Sequence, residues 1–209
     1  MNRQLIRHAL LGGVALGALG FSSAAMAAGG NILLTGHDND YHCTFGNTGN
    51  PCGALKAEAA YVMNGSTLPI LVIDNGNELS GSLSGDGVSI VTKSVGSITA
   101  ADFNNSLYSA FAVASVTACG GCDNPAGTGT ALAAFSSAIA AFYDAGGGIL
   151  GMTASTDPLG FAYVPDAAAG TPIGHASGFV ATAAGLADIP GFFAVNGDAV
   201  GFCPGSATS

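Results

Sequence analysis

Short apolar runs of strand length alternate with helical patterns along most of the chain. Five runs are predicted to be strands, because each is short and bounded by turn-forming residues: 32–35, 68–73, 88–92, 110–116 and 149–152. Residues 178–182 and 192–195 are predicted to be further edge strands. The alternation of strands and helices predicts an α/β fold with a mostly parallel sheet and helices on both faces.

The helical pattern is clearest in two segments. Residues 54–63 are rich in alanine and end at an asparagine–glycine pair, which is a common helix stop. Residues 131–143 are predicted to form the longest helix, with Thr128 or Thr130 as its N-cap. Its apolar side chains recur at helical spacing: Leu132, Phe135, Ile139 and Phe142.

The connections between these elements are predicted from their polar and glycine content. Residues 77–87 are predicted to be a loop rich in glycine and serine. Residues 99–107 are predicted to contain a short helix with Thr99 as its cap, and residues 157–166 to be a loop or a short helix.

The amino terminus has the pattern of an export signal. Arg3 and Arg7 precede an uncharged apolar run over residues 9–21, and Ala25-Met-Ala27 has the small residues that signal peptidase requires. A membrane anchor is the alternative, but the run is well short of the roughly 20 residues that span hydrocarbon. We therefore expect residues 1–28 to be a signal peptide and residues 29–209 to form one exported domain, periplasmic, extracellular or at the cell surface, without membrane insertion after cleavage.

The chain that remains after cleavage is strongly acidic. Loss of the signal removes both arginines, so Lys56 and Lys93 stand against 13 acidic residues. Such a surface repels phosphate backbones, which makes nucleic acid an unsuitable partner. The length suits a single domain with its own core, and the oligomeric state is left open.

Two histidines and two aspartates follow the first predicted strand within six residues: His37, Asp38, Asp40 and His42. The carboxyl ends of parallel strands form the edge where ligands bind in α/β sheets. Imidazole and carboxylate groups bind zinc, and calcium is a variant, although the glycine and distal glutamate of an EF-hand loop are missing. A metal-assisted hydrolase is one hypothesis, with the ion acidifying water and a carboxylate moving the proton. A solvated, internally hydrogen-bonded loop is the other.

All five cysteines lie beyond the signal: Cys43, Cys52, Cys119, Cys122 and Cys203. An oxidising compartment favours disulfides, and the most economical pairing joins Cys43 to Cys52 and Cys119 to Cys122. Cys203 is then free, or pairs with one of the others or with a partner beyond the chain. Alternatively Cys119, which follows the fourth predicted strand, is a nucleophile with a histidine as its base: His37, His42 or His175.

Several motifs together are similar to those of a known superfamily. The first strand ends in Thr35-Gly-His37, and the fifth predicted strand lies in Ala145-Gly-Gly-Gly-Ile-Leu-Gly-Met152. Ala184-Gly-Leu-Ala-Asp-Ile-Pro-Gly191 and Asn196-Gly-Asp198 follow. The chain resembles the class I glutamine amidotransferase-like superfamily, especially its trehalose-utilisation-type branch. The resemblance implies a flavodoxin-like three-layer sandwich, with a small-molecule or saccharide ligand on the loops after the strands. The candidate ligand-binding residues are Asp40, Tyr41, Thr153 and Asp198.

The chain departs from this superfamily at the catalytic turn. Where an amidotransferase has its nucleophilic cysteine, this sequence has Met152-Thr-Ala-Ser155, and the histidine that the branch tends to carry near Thr153 is also missing. We therefore expect a non-amidotransferase domain that binds a small or saccharide-like ligand, with no certain cofactor. A structural or adhesive surface domain is a further alternative. The chain has no tryptophan, so aromatic platforms for a sugar would have to come from its tyrosines: Tyr41, Tyr61, Tyr108, Tyr143 and Tyr163.

Overall fold

A computed structural model describes residues 29–35, 40, 51–116, 124–152, 158–165, 183 and 187, with the backbone alone for residues 51–54. The strands are β1 Ile32–Thr35, β2 Ile70–Ile73, β3 Ile90–Lys93, β4 Ala110–Val113 and β5 Gly148–Met152. The helices are α1 Pro51–Met63, α2 Glu78–Gly85, α3 Thr128–Ala133 and α4 Ser136–Asp144, and two 3-10 turns cover Val95–Ser97 and Ala100–Asp102. Every strand predicted within these ranges is present, with ends that differ by a few residues.

The five strands form one parallel sheet in the order β1-β5-β4-β2-β3. The central strands β2, β4 and β5 are fully buried, as expected of a parallel sheet covered on both faces. The prediction of an α/β, flavodoxin-like three-layer sandwich with a parallel central sheet is confirmed. The predicted edge strands at 178–182 and 192–195 lie outside the described residues.

Alternate residues of each strand supply two separate apolar cores. On one face, strand residues such as Leu71 and Phe111 pack with α3, α4 and the segment around Tyr163. On the other face, strand residues such as Val72 and Leu150 pack with α1 and α2. The period of two along the strands thus explains why helices cover both faces.

A close approach of backbones joins α1 to β5. A Cβ atom placed on Gly148 would lie 2.0 Å from the carbonyl oxygen of Val62, near the end of α1. Gly146, two residues before Gly148, has a φ of 96° and lies in the turn after α4. Two positions here therefore require glycine. Gly146 adopts a left-handed backbone conformation, and Gly148 has no room for a Cβ atom beside the backbone of Val62.

The prediction of a loop over residues 77–87 is wrong, because Glu78–Gly85 forms α2. Leu79 and Leu83 lie four residues apart and are both fully buried against the sheet. Burial of this apolar pair, together with a side-chain cap from Asp74 at the start of the helix, outweighs the low helix propensity of its glycines and serines.

The prediction of one long helix over residues 131–143 is also wrong, since α3 and α4 are separated at Phe135. This residue has φ −104° and ψ 12°, and its ring packs 6.1 Å from that of Phe103. The aromatic contact takes precedence over the regular helical spacing. Thr128 lies inside α3 rather than before it, and its hydroxyl donates to the carbonyl oxygen of Pro125.

A short helix capped by Thr99 was expected over residues 99–107, and the structure has a 3-10 turn there instead. Thr99 and Asp102 form a reciprocal cap, in which the Asp102 carboxylate accepts from the backbone N–H and hydroxyl of Thr99 at 2.8 and 3.0 Å. The same carboxylate forms an ion pair with Lys93 at the end of β3. The predicted cap residue is correct, although the helix is limited to one turn.

Replacement of Asp102 by asparagine is expected to lower the free energy of unfolding by up to about 1 kcal/mol at neutral pH, because the ion pair with Lys93 is lost and the cap at Thr99 loses its negative charge. Burial raises the pKa of Asp102, but the hydrogen bonds from Lys93 and Thr99 outweigh it, so this pKa lies below its ordinary value. The hydrogen bond to Asp102 also raises the pKa of Lys93.

These two shifts define a pH window for the contribution of the pair. A lowered carboxyl pKa gives stability that is present above the unfolded value, about 4, and is lost as the pH falls through the folded value. A raised lysine pKa gives stability that is present below the unfolded value, about 10, and is lost as the pH rises through the higher folded value. Urea unfolding of both proteins across pH should show the difference disappear at both limits. A difference that stays constant at acid pH would contradict the assignment.

No helix among the described residues combines the length and the hydropathy needed to cross a membrane. The predicted signal peptide at residues 1–28 lies outside these residues, so export stays a prediction.

Candidate functional site

The chain changes its direction across the sheet between β2 and β4. From β2 it passes through α2 to β3 on one side, whereas from β4 it passes through α3 and α4 to β5 on the other side. The carboxyl ends of two such neighbouring strands flank the crevice in which α/β proteins bind their ligands. We call this place the switch point. The loops that meet here begin at Asp74 after β2 and at Ala114 after β4.

Asp74 closes the turn between β2 and α2. One carboxylate oxygen accepts from the backbone N–H groups of Gly76 and Asn77 at 2.9 and 2.8 Å. The other accepts from both the backbone N–H and the hydroxyl of Ser80 at 2.9 Å. Asp74 is 4% exposed, so the negative charge is buried against the amino end of α2, where the helix dipole favours it.

Asn124 joins the ends of β2 and β4 across the switch point. Its side-chain NH₂ donates to the carbonyl oxygens of Ile73 and Ala114 at 2.9 and 3.1 Å, and its side-chain oxygen accepts from the backbone N–H of Asn75 at 3.0 Å. Since carbonyls only accept and backbone N–H groups only donate, the orientation of this amide is fixed by its partners. Asn124 is fully buried and extends the ladder between the two strands beyond their last residues.

Asn75 connects the switch point to the loop after β3. Its side-chain oxygen accepts from the backbone N–H of Val95 at 2.8 Å. The side-chain NH₂ of this exposed residue is therefore turned away from Val95, with its orientation fixed in the same way as that of Asn124. Two hydrogen bonds therefore hold Asn75 at the rim. Its backbone N–H donates to the Asn124 side chain, and its side-chain oxygen accepts from the Val95 N–H. The side-chain NH₂ of Asn75 is thereby presented as a donor in a fixed position.

Asp40 is the predicted site residue that the structure places at this edge. Its carboxylate accepts from the backbone N–H of Ser115 at 2.9 Å and from the Ser115 hydroxyl at 2.9 and 3.0 Å. The hydroxyl of Ser82 in α2 donates to the backbone oxygen of Asp40 at 3.0 Å. Since β5 lies between β1 and β4, this contact joins Asp40 to the end of a strand that is not a neighbour of β1 in the sheet. Asp40 and Ser115 are both fully buried.

At the switch point the carboxylates are buried and the exposed loop residues are uncharged, while Lys93 at the end of β3 is partly exposed and paired with Asp102. The carboxylates of Asp40 and Asp74 are buried and bound to backbone N–H groups and serines. The exposed residues of the loops after β2 and β3 carry no charge: Asn75, Gly76, Asn77, Ser94, Gly96 and Ser97. The rim therefore offers amides and hydroxyls, which can both donate to and accept from an uncharged polar molecule.

The aromatic platforms considered for a sugar are not found at this rim among the described tyrosines. Tyr108 and Tyr163 are buried in the core beside the sheet, and burial raises the pKa of Tyr163. Tyr61 and Tyr143 lie near the start of β1, where the carbonyl of Tyr61 accepts from Asn31 and that of Tyr143 from Gly30. Those two belong to the amino edge of the sheet, opposite the switch point.

Most of the predicted site residues lie outside the described part of the chain: His37, Asp38, Tyr41, His42, Cys43, Cys119, Cys122, Thr153, His175, Asp198 and Cys203. Cys52 lies in the first turn of α1, where only the backbone is described. Within the described ranges, no three histidine, cysteine, aspartate or glutamate side chains form a group able to hold a metal ion. The predictions about metal, nucleophile and disulfides stay predictions.

The residues that organise the switch point carry weaker signals in the sequence. Asp74 directly follows a buried strand, but its sequence context is that of an ordinary turn. Ser115 lies two residues after β4, but inside the strand predicted over residues 110–116. Asn124 has no local signal, because its partner Ile73 is 51 residues away along the chain. A rule that any polar residue within two positions after a predicted buried strand belongs to the edge would have found Asp74, but not Ser115 or Asn124.

The fold and this edge together define a flavodoxin-like α/β domain in which the described loops after β2 and β3 present a polar, uncharged surface at the switch point. No protein-family model, curated protein or solved structure matches the chain.

Proposed function

We propose that this chain is an exported, non-amidotransferase α/β domain that binds a small uncharged ligand, saccharide-like in its hydroxyl groups, at the carboxyl edge of the sheet. The observation that carries the proposal is the separation of charge among the described residues of the switch point: Asp40 and Asp74 are buried and hydrogen-bonded, while amides and hydroxyls are exposed. Hydroxyl groups of a polyol match such a rim, because each can donate and accept.

The rigidity of the rim supports binding over a purely structural role. Asn75 is held through its backbone by Asn124 and through its side chain by Val95, so its free NH₂ group is oriented before any ligand arrives. A donor that is already ordered loses little conformational entropy on binding. Since the described tyrosines lie elsewhere, recognition would depend on hydrogen bonds rather than on stacking.

Export and superfamily membership form part of the same proposal. The amino-terminal pattern supports export, and the motifs shared with the amidotransferase-like superfamily support a ligand site on the loops after the strands. The absence of cysteine from Met152-Thr-Ala-Ser155 supports a role other than glutamine hydrolysis.

The test is a binding screen of the full chain with neutral monosaccharides and disaccharides, followed by thermal unfolding and titration calorimetry. We expect at least one sugar to raise the melting temperature, and Asn75→Ala to weaken its binding by about tenfold, the effect of one hydrogen bond between uncharged groups. Loss of binding without loss of fold would show that the rim contacts the sugar.

Asn104→Ala is the matched control. Asn104 is also exposed, and its side-chain oxygen accepts a backbone N–H, that of Ser106 at 2.9 Å, in the turn that leads into β4. The control removes the same kind of bond away from the switch point and should leave sugar binding unchanged. The proposal fails if no sugar binds, or if Asn104→Ala and Asn75→Ala weaken binding equally.

A further inference from the structure

We infer that Asp74 makes the switch point selective against anionic ligands, so that a phosphorylated sugar is rejected where its neutral parent is accepted. Binding of a neutral ligand rests on the proposed function. Rejection of anions does not, because it follows from the turn between β2 and α2 that Asp74 closes. It assigns a specificity-determining role to a residue that is buried below the rim.

The amino end of a helix that follows a strand at the switch point is an anion site in many α/β proteins. Its backbone N–H groups have no partner within the helix, and the helix dipole adds partial positive charge there. Here α2 occupies that position, directly after β2. A phosphate group would need the N–H groups of this turn to replace its water.

In this chain those donors are bound to the protein's own carboxylate. The N–H groups of Gly76, Asn77 and Ser80 all donate to Asp74, at 2.8 to 2.9 Å. The carboxylate occupies the position that a ligand phosphate would take, and it satisfies the helix dipole at the same time.

The surrounding charge strengthens the effect. Glu78 is a buried acid in the first turn of α2, and the fully buried Asp40 accepts from Ser115 at the same edge. All three acids are buried, so their repulsion of an anion is screened less than at a surface, and the nearby cation Lys93 is already paired with Asp102. An uncharged hydroxyl group meets no such penalty.

Inorganic phosphate is the direct probe, used on the ¹⁵N-labelled full chain with the backbone amide signals of Gly76 and Asn77 as the readout. We expect no saturable shift of these signals in the wild type. In Asp74→Ser the carboxylate is removed, so we expect the two signals to shift with phosphate and the affinity to rise at least tenfold above the wild-type limit.

Asp86→Asn is the matched control, because it removes one negative charge from the other end of the same helix. Asp86 follows the last turn of α2 and burial raises its pKa, an effect that Lys56 partly offsets. Its replacement should leave the Gly76 and Asn77 signals unresponsive to phosphate. An equal gain in both variants would overturn the inference, since net charge alone would then explain it.

A second pair of measurements keeps the inference testable if Asp74→Ser does not fold. Asp74→Asn retains an oxygen that can accept from Gly76 and Asn77, and it should show a smaller gain in phosphate affinity. On the wild type, saturable phosphate binding at Gly76 and Asn77 would overturn the selectivity, whereas failure of every neutral sugar to bind would remove only the proposed function.

Discussion

The Gly148→Ala variant is expected to lose about 3 kcal/mol of unfolding free energy, the upper end of the usual cost of overpacking. The added methyl group would lie 2.0 Å from the carbonyl oxygen of Val62 and 2.8 Å from its carbonyl carbon. Both atoms belong to the backbone of α1, so no side-chain rotation can relieve the contact. The helix would have to move away from β5, which opens the core between them.

Gly81→Ala provides the control for this substitution. Gly81 lies in the exposed part of α2, and a Cβ atom there would have no neighbour within 4 Å. Alanine should therefore stabilise the helix by up to about 1 kcal/mol, through its better helix propensity. Urea unfolding of the two variants beside the wild type measures both effects. Similar changes in the two variants would contradict the close approach of α1 and β5.

The Asn124→Ala variant should lose about 2 to 4 kcal/mol of unfolding free energy, because it removes the buried side chain that bonds backbone groups just beyond the ends of both strands. The N–H of Asn75 and the carbonyl of Ala114 would each lose the hydrogen bond that Asn124 provides. Since Asn75 also holds the loop after β3, amide exchange should become faster in residues 74–77 and 94–97. Unfolding by urea together with hydrogen exchange measures this change.

The isosteric Asn124→Asp variant tests the orientation of the amide. A carboxylate at this position would face the carbonyl oxygens of Ile73 and Ala114, so we expect a loss at neutral pH at least as large as that of alanine. The burial and the two carbonyls would raise the pKa of the new carboxyl group, and its protonated form could donate to one of them. The variant should therefore regain stability as the pH falls. A variant as stable as the wild type at neutral pH would show that the amide has the opposite orientation.

The sequence was sufficient for the sheet but not for all of its helices. Strands such as Ile70–Ile73 are continuous apolar runs, and such runs need no tertiary information to be recognised. Helix α2 was missed because its glycines and serines resemble a loop, and its stability depends on burial of Leu79 and Leu83 against a sheet formed by distant residues. The division at Phe135 likewise depends on a ring contact with Phe103, 32 positions earlier in the chain.

The same distinction applies to the site. The prediction that polar residues after the strands gather at one edge follows from parallel topology, and Asp40 lies at that edge as expected. The partners of Asp40 could not be predicted, because Ser115 is 75 residues away. Asp74 was predicted as part of a turn, but its four hydrogen bonds around α2 could be recognised only once the helix itself was known.

The pairing of β1 with β5 affects the order in which the strands of the sheet can pair during folding. Ile32 is aligned with Ile149, so the first strand to leave the ribosome has its sheet neighbour more than a hundred residues later. Contacts of such long sequence separation form slowly, because the intervening chain must first be ordered. The pairing of β1 therefore comes late, after β5 has been made, whereas β2, β3 and β4 can pair within a much shorter stretch of the chain.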